Sequence, residues 1–500
     1  MNKNIWILIM GFFLFQACLD DEGNYSYSDL LPIEIDSSNI KDSYRITQLG
    51  ILEIDPGVKQ GEDDSNIAYE WKIFQDGNMP NAETGKVVDD VIGKERKLNY
   101  KVTTPPGEYK LTFKATDKRN GVTEVILRPI KIESFAPEGL MVMHGDSDST
   151  DVSILVNDRI VPDVEKDEVK HNIFSITNGH RAVGAPGKLG FAYSPSSVYV
   201  YTKGNQGGCR ARSSDLLLQE SYADMFSEPL AQTNINFQEY TKWGYVDVLV
   251  NNGKVHTASQ ATTIFTKFSL PAFGIEYYAE PFLGTNERGY YWGVFYDRIG
   301  KRFLYVDNNV SPQTFLEGSG PFQMNDVGKD MVYAEHGNNK YWYCVMREPE
   351  DATKYFVFVC DLTVGSWMNS QARAKYDVSA CTDLKDAQAF AVGNRSELLY
   401  YATKTEVKQC HYTESPVKST PRYALPAALA GYEITMLHLF KRSEHNNDGK
   451  LLYIGVYNSS TGDGKLLECP IVETSGEILT DGIKTYDGFK KITHMDYKPF

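Results

Sequence analysis

Short runs in which apolar and polar residues alternate constrain this chain more than any other feature. In residues 109–117, Tyr109, Leu111, Phe113 and Ala115 occupy every second position, and polar side chains lie between them. A period of two predicts a strand with one face buried in a core. Similar runs recur along most of the chain, separated by turns rich in Gly, Asn and Pro. The sequence therefore predicts an all-β protein.

Helical signals are few. Residues 215–226 are one candidate for a short helix. Residues 426–430 are another, because Pro426 stands at the start of the segment and Gly431 follows its end, an order that is common at helix termini.

The composition fits a folded, β-rich chain. Hydrophobic residues make up 42% of the sequence and charged residues 23%, which is enough to bury a sizeable core. The 32 Tyr and 24 Phe residues favour strands. A net charge of -15 repels phosphate backbones and argues against nucleic acid as a partner.

Residues 31–135 form the first predicted domain. Tyr69, Trp71 and Ile73 share one face of a strand pattern, and about seven such patterns around one core Trp are typical of an immunoglobulin-like sandwich. We expect Trp71 to be a core residue and not a platform for a ligand.

Residues 136–500 form the second predicted domain, with a joint at residues 136–139. Hairpin patterns recur there about every 45 to 60 residues, which favours a β-propeller of roughly six or seven blades. A two-sheet β-rich domain is the alternative. The clearest hairpins pair residues 340–346 with 355–360, 397–402 with 406–411, and 451–457 with 465–469.

The N-terminus has the order of an export signal. Lys3 precedes an apolar run at residues 5–15, and Ala17 stands directly before Cys18, whereas a membrane span would be longer. The segment resembles a bacterial lipoprotein signal. That resemblance implies removal of residues 1–17 and lipidation of Cys18. The alternative is an ordinary secretory signal in which Cys18 is incidental.

Residues 18–30 form a predicted lipidated, acidic tether. Asp20, Asp21 and Glu22 follow the cysteine and resemble the signal that sends lipoproteins of the Bacteroidota to the outer face of the outer membrane. The expected location is the outer membrane, lipid-anchored and facing the cell exterior. Anchoring by more than one acyl chain is far firmer than anchoring by one.

Two further segments carry a family resemblance. Residues 69–71 and 106–117 resemble a PKD-type sandwich, and with the opening at residues 18–27 the chain is similar to the PKD-like lipoprotein family of the Bacteroidota. The resemblance implies a PKD-like domain at residues 31–135, a large C-terminal region and the company of a SusC/SusD-type importer. PKD domains are usually spacers or adhesive modules, so no catalytic residue carries over.

The cysteines other than Cys18 number six and are widely spaced: Cys209, Cys344, Cys360, Cys381, Cys410 and Cys469. Disulfides are possible in an exported chain, and Cys344 and Cys360 could face each other on neighbouring strands. The alternative is that most are buried and behave as small apolar residues.

Motifs for catalysis are absent from the sequence. There is no G-x-S-x-G, no H-E-x-x-H, no Walker loop and no G-x-G-x-x-G. We therefore expect no enzyme activity and no cofactor. A weak candidate for calcium is the set Asp146, Asp148 and Asp151, which supplies oxygen ligands at short spacing but lacks the Gly and Glu of the helical calcium loop.

Aromatic clusters are the remaining signal for binding. Exposed Trp and Tyr rings can stack on the apolar face of a sugar, while the alternative for each ring is packing between blades. The candidates are Trp243, Tyr245, Tyr291, Trp292 and Trp342.

The leading functional hypothesis is a surface lipoprotein accessory to a SusC/SusD-type uptake system. It would bind a glycan or a peptide, or dock on the importer, without catalysis. One alternative is a surface glycoside hydrolase or lyase with acidic residues in the propeller funnel. Another is a purely structural subunit of an importer complex.

Overall fold

The structure is a computed structural model that describes residues 31–499. Short gaps in this range lie at residues 61–64, 82–83, 163, 194–195, 205–206, 231–234, 242–245, 260–266, 286–290, 308–309, 317 and 364–370. The predicted signal, Cys18 and the acidic tether lie outside the described residues. No helix within the described ranges is long and apolar enough to cross a membrane.

An N-terminal sandwich precedes a propeller, so the predicted fold class is confirmed. The sandwich is built from β1 (Glu34–Asp36), β2 (Tyr44–Thr47), β3 (Ile51–Ile54), β4 (Gly57–Lys59), β5 (Ile67–Phe74), β6 (Asp89–Gly93), β7 (Leu98–Lys101), β8 (Gly107–Asp117) and β9 (Thr123–Glu133).

The main sheet of the sandwich has the order β2-β9-β8-β5-β6 and shares its core with the pairs β1-β4 and β3-β7. Trp71 is 1% exposed, its ring lies 4.5 Å from that of Phe113, and its Nε1 donates to the Glu95 carbonyl at 3.0 Å. The expectation that Trp71 is a core residue is confirmed.

The propeller begins with β10 (Gly139–Gly145), β11 (Ser149–Val156), β12 (Glu168–Lys170), helix α1 (Ile173–Asn178) and β13 (Ala182–Val183). Blade 2 contains β14 (Ala185–Tyr193), β15 (Ser196–Lys203), β16 (Cys209–Arg212) and β17 (Leu218–Ser221). Blade 3 contains β18 (Ile235–Thr241), β19 (Val246–Asn251) and β20 (Lys254–Ser259). Blade 4 contains β21 (Ala279–Gly284), β22 (Gly293–Asp297) and β23 (Arg302–Val306).

Blade 5 contains β24 (Asp330–His336), β25 (Trp342–Arg347), β26 (Tyr355–Cys360) and β27 (Ala372–Asp377). Blade 6 contains β28 (Ala389–Val392), β29 (Leu398–Ala402), β30 (Glu406–His411) and β31 (Ser419–Ala424). Blade 7 contains β32 (Glu433–Leu439), β33 (Leu451–Asn458), β34 (Asp463–Val472), β35 (Glu477–Ile478) and β36 (Lys484–Phe489). The last strand is β37 (Lys491–Lys498).

The C-terminal strand closes the propeller. β37 pairs antiparallel with β10, from Gly139 opposite Lys498 to Gly145 opposite Lys491, and it contacts the innermost strands β14 and β32 of the flanking blades. Blade 1 is therefore built from both ends of the propeller sequence. The described residues form seven blades, within the range that the hairpin spacing predicts, and the two-sheet alternative is wrong.

The helix predictions are wrong in detail. Within residues 215–226 the chain forms β17 and a 3-10 turn at Ala223–Met225. Leu216 has a left-handed φ of 58°, and the Asp215 carboxylate accepts from the Arg212 guanidinium at 2.9 Å, so the chain reverses here and pairs β16 with β17. Residues 426–430 contain only the 3-10 turn Ala427–Leu429.

The joint between the two domains is fixed to blade 2. The Ser134 hydroxyl and the Ala136 N–H both donate to the Ser214 carbonyl, at 2.7 and 2.6 Å. The predicted joint at residues 136–139 thus begins against the propeller.

A buried carboxylate connects blade 7 to the chain of blade 1. Glu468 of β34 has no exposed surface. It accepts from Arg159 at 2.9 Å, from the Asn157 amide at 2.7 Å and from the Tyr453 hydroxyl at 3.0 Å. Asn157 and Arg159 directly follow β11, so these bonds reinforce the closure made by β37.

We predict that Glu468→Ala strongly destabilises the propeller. The substitution removes one acceptor from the buried Asn157 amide and from the Arg159 guanidinium, which is 26% exposed, and the loss of a buried hydrogen-bond partner costs about 1–3 kcal/mol. Urea unfolding followed by Trp fluorescence measures the loss. The exposed Glu477→Ala on the same blade is the control, and equal midpoints for the two variants would contradict the proposed role of Glu468.

A second buried carboxylate lies between blades 2 and 3. Asp247 of β19 has no exposed surface and accepts from the Tyr199 hydroxyl at 2.9 Å. Burial raises the pKa of Asp247 to about 7, although the hydrogen bond from Tyr199 and the charge of Arg210 oppose the rise.

We predict that the stability conferred by Asp247 depends on pH. An unfolded Asp titrates near pH 4, so from about pH 4 to pH 7 the folded state holds a proton that the unfolded state lacks. The stabilisation is complete below pH 4 and falls as pH rises through 7. Asp247→Asn stays neutral, so its urea midpoint should decline less between pH 5 and pH 8 than that of the wild type. The exposed Asp481→Asn is the control; parallel pH profiles for wild type and Asp247→Asn would refute the assignment.

Candidate functional site

A cavity of about 830 Å³ lies among the innermost strands of the propeller. Its volume is in the range of small-molecule binding sites, about 300–1,000 Å³. The lining comes from almost every blade: residues 187–191 of β14, 281–283 of β21, 332–336 of β24, 387–390 at the start of β28, 435–438 of β32 and 493–497 of β37.

Bulges in the innermost strands direct side chains into this cavity. Each of six innermost strands has one register shift in its pairing with the neighbouring strand of the same blade. These strands are β14, β18, β21, β24, β32 and β37. In β24 the shift falls between Met331 and Tyr333. A bulge adds one residue and changes the direction of the side chains that follow, so the cavity lining does not follow simple alternation.

An aromatic wall, defined here as Phe282, Tyr333 and Phe390, forms one side of the cavity. The ring of Tyr333 packs edge-on against Phe282 at 5.5 Å between centroids and stacks with Phe390 at 5.5 Å with an interplanar angle of 23°. The three residues come from blades 4, 5 and 6. They give three consecutive blades a shared apolar surface inside the cavity.

One carboxylate connects three blades beside this wall. Glu335 of blade 5 accepts from the Val392 N–H of blade 6 at 2.9 Å. Its other oxygen lies 2.7 Å from the Nζ of Lys441, which follows the innermost strand of blade 7. Lys441 also donates to the His336 carbonyl at 2.6 Å. The ion pair is therefore held in place by main-chain bonds on both of its sides.

The ion pair is largely buried, because the Lys441 side chain is 18% exposed and that of Glu335 is 25% exposed. Burial lowers the pKa of Lys441, and the neighbouring Glu335 opposes that shift. Burial also lowers the pKa of His438 to about 4 and raises that of Tyr333, with a further increase caused by Glu335. At neutral pH His438 is an uncharged imidazole that can donate one hydrogen bond and accept another.

A further imidazole joins β37 to β14. His494 Nδ1 accepts from the Leu189 N–H at 3.3 Å, and burial lowers the pKa of His494 well below its usual value. The cavity thus combines an aromatic wall with one ion pair and neutral imidazoles. Such a surface can stack on an apolar ring face and form directed hydrogen bonds to hydroxyl groups.

Two of the aromatic residues predicted to bind a ligand are in the core instead. Tyr291 and Trp342 have no exposed surface; Tyr291 packs on Tyr305 at 4.9 Å and Trp342 on Phe303 at 5.6 Å. The prediction of a ligand platform is wrong for these two, because Trp342 packs between blades 5 and 4 and Tyr291 packs within blade 4. Trp292 is half-buried and packs against the core of blades 3 and 4. Trp243 and Tyr245 lie outside the described residues.

The candidate calcium ligands do not form a metal site in the structure, because two of them flank a guanidinium. Arg181 lies 3.6 Å from Asp146 and 3.7 Å from Asp151, so a guanidinium takes the place that a cation would occupy. Asp148 is exposed. No group of three or more His, Cys, Asp or Glu side chains suited to a metal occurs in the described part of the chain.

Sequence reasoning missed the residues that do converge. Phe282, Tyr333, Glu335 and Lys441 belong to no motif, and Glu335 and Lys441 come from blades that are not adjacent in sequence. The alternative hypothesis of a hydrolase placed acidic residues in the propeller funnel without naming them. Glu335 and Asp496 do line the cavity.

Comparison with known proteins supports the N-terminal assignment. The sequence model of the PKD-like family matches residues 18–186, so the chain carries a PKD-like family domain. The match extends past β9 into the first strands of the propeller. A search of curated proteins finds no match.

Several solved structures are similar at low sequence identity. A quinonprotein alcohol dehydrogenase-like protein from Bacteroides thetaiotaomicron is 12% identical, with a TM-score of 0.46 over 93% of this chain and 99% of that chain. A DUF4784 family protein from Bacteroides caccae is 8% identical, with a TM-score of 0.26 over 92% of this chain and 96% of that chain. The dihydro-heme d1 dehydrogenase NirN is 11% identical, with a TM-score of 0.40 over 87% of this chain and 75% of that chain.

Proposed function

We propose that this protein is a surface lipoprotein that binds a glycan in its propeller cavity. It passes the glycan, without cleaving or modifying it, to a SusC/SusD-type importer in the outer membrane. The lipid on Cys18 anchors the chain, the PKD-like sandwich holds the propeller away from the membrane, and the propeller recognises the ligand. The observation that carries the binding role is the aromatic wall beside the Glu335–Lys441 ion pair.

The chemistry of the cavity favours a sugar over an apolar ligand. A pyranose has apolar C–H faces and a rim of hydroxyl groups. The aromatic wall can stack on the apolar C–H faces of the sugar. Glu335, Lys441 and the neutral His438 can form hydrogen bonds with its hydroxyl groups. The volume of about 830 Å³ suits the end of an oligosaccharide and not a long polymer segment.

A surface hydrolase or lyase is the second candidate, because Glu335 and Asp496 both line the cavity. A glycosidase needs a carboxylic acid that gives its proton to the leaving oxygen. Both oxygens of Glu335 already accept from Lys441 and from the Val392 N–H. This arrangement suits orientation and recognition better than proton transfer. The third candidate, a structural subunit, requires no use of the cavity.

We predict that the aromatic wall and the ion pair determine affinity for a glycan. The full chain bearing Cys18→Ala, which removes the predicted lipid, is screened on glycan and peptide arrays, and the retained glycan is titrated by calorimetry. Phe282→Ala should weaken binding about tenfold through lost stacking and buried area. Glu335→Gln should weaken it by a similar factor through the loss of a charge-assisted hydrogen bond.

The matched control is Phe273→Ala, which removes an aromatic ring that is 75% exposed and outside the cavity lining. Its affinity should equal that of the parent chain. If the protein binds peptides but no glycan on the arrays, the ligand is a peptide and the glycan proposal is wrong. Sugar release that Glu335→Gln abolishes would establish the hydrolase, and co-purification with an importer without any ligand affinity would establish the structural role.

We also predict that Cys18 determines location. Wild-type protein should fractionate with the outer membrane and be cut by protease added to intact cells, whereas Cys18→Ala should be released, because the acyl chains supply the membrane affinity. Cys209→Ala, a change at a buried cysteine of the propeller, should leave the location unchanged. Membrane retention of Cys18→Ala, or protection of the wild type on intact cells, would reject the surface anchor.

A further inference from the structure

Two thiols meet at the junction of blades 5 and 6. Cys410 lies in β30 and has no exposed surface, and Cys381 lies in the turn between β27 and β28 and is 6% exposed. Both side chains belong to one buried cluster, which also contains Tyr401 and Tyr412 of the same region. The structure holds both as free thiols, as it does the other cysteines of the described residues.

The chain around Cys381 is fixed to blade 6 by independent contacts. The Thr382 N–H donates to the Ser419 hydroxyl at 3.0 Å, and Ser419 is the direct cross-strand partner of Cys410. The Tyr401 hydroxyl donates to the Thr382 carbonyl at 2.7 Å. These bonds hold the two cysteines side by side without a covalent link.

We propose that Cys381 and Cys410 are a disulfide site that fastens the connection between blades 5 and 6 to blade 6. The site lies on a connection that leads into the cavity, since residues 387–390, which include Phe390 of the aromatic wall, follow Cys381 closely. The bond would fix the start of this segment. The two thiols would form this bond whichever ligand the cavity binds.

The chemistry needs a disulfide oxidant, and oxidised glutathione represents that class. Cys381 is 6% exposed whereas Cys410 has no exposed surface, so Cys381 meets the oxidant first, loses its proton and is the attacking thiolate. Its sulfur bonds to one glutathione sulfur and expels the other as a thiolate, and Cys410 then loses its proton and displaces the bound glutathione. The two cysteines lose two protons and two electrons in total, and one glutathione disulfide becomes two glutathione thiols.

The other cysteines provide internal comparisons. Cys344 and Cys360 also contact each other, but both have no exposed surface, and Cys344 pairs across the strands with Phe358, so the two thiols are diagonal neighbours. Cys209 and Cys469 lie in different blades, 2 and 7. The first predicted pair, Cys344 with Cys360, is therefore less accessible to an oxidant than Cys381 with Cys410.

The test uses the full chain bearing Cys18→Ala, folded in a buffer of reduced and oxidised glutathione. Remaining thiols are alkylated in denaturant, and peptides are analysed by mass spectrometry without reduction. We expect a peptide pair linked through Cys381 and Cys410, with Cys209 and Cys469 alkylated. We also expect oxidation to raise the thermal midpoint by about 5 °C, the order of magnitude for closing a loop of this length.

Cys381→Ser is the matched variant, and it should lose both the linked peptide and the rise in midpoint. Complete alkylation of Cys381 and Cys410 after oxidation has reached equilibrium would overturn the proposal. So would a bond between Cys344 and Cys360 in place of the proposed one. A linked pair without any change in midpoint would overturn the stapling role.

Discussion

The pairing of β37 with β10 is the constraint on which the rest of the structure depends. A row of blades has two unpaired ends, and each end leaves one apolar face and one strand edge uncovered. Here the last strand returns to complete the blade that the first propeller strand begins. The buried Glu468 network joins blade 7 to this blade through side chains, so closure is secured by both backbone and charge.

Closure also creates the cavity. Residues 493–497 of β37 lie beside residues 187–191 of β14 and 435–438 of β32 in its lining, although these segments are hundreds of residues apart in the chain. The Glu335–Lys441 pair spans blades 5 to 7 in the same way. Contacts between the blades hold this lining in place, and such pre-organisation would reduce the entropy lost when the proposed ligand binds.

The sequence predicted the units of this architecture better than their use. Hairpins such as β25 with β26 and β33 with β34 are visible because period-two alternation and turn residues are local signals, and Trp71 could be assigned to a core for the same reason. Trp342 was misassigned because both faces of the inner strand β25 are buried, so an aromatic residue there says nothing about exposure. Tyr291 was misassigned because the segment just before β22 folds onto Tyr305 and Phe315, a contact that no local pattern marks. Tyr333 and Glu335 escaped prediction because a bulge in β24 directs them into the cavity, and no sequence pattern marks that bulge. Lys441 could not be paired with Glu335 before the order of the blades was known.

The central proposal is that ligand recognition takes place inside the closed propeller. Amide hydrogen exchange, measured with and without a bound oligosaccharide, tests this claim most directly, because exchange reports which backbone segments a ligand stabilises. The account predicts slower exchange in peptides covering β24, β28 and β32, with the sandwich strands β5 and β8 unchanged. Protection confined to the sandwich or to the outer strands of the blades would contradict it.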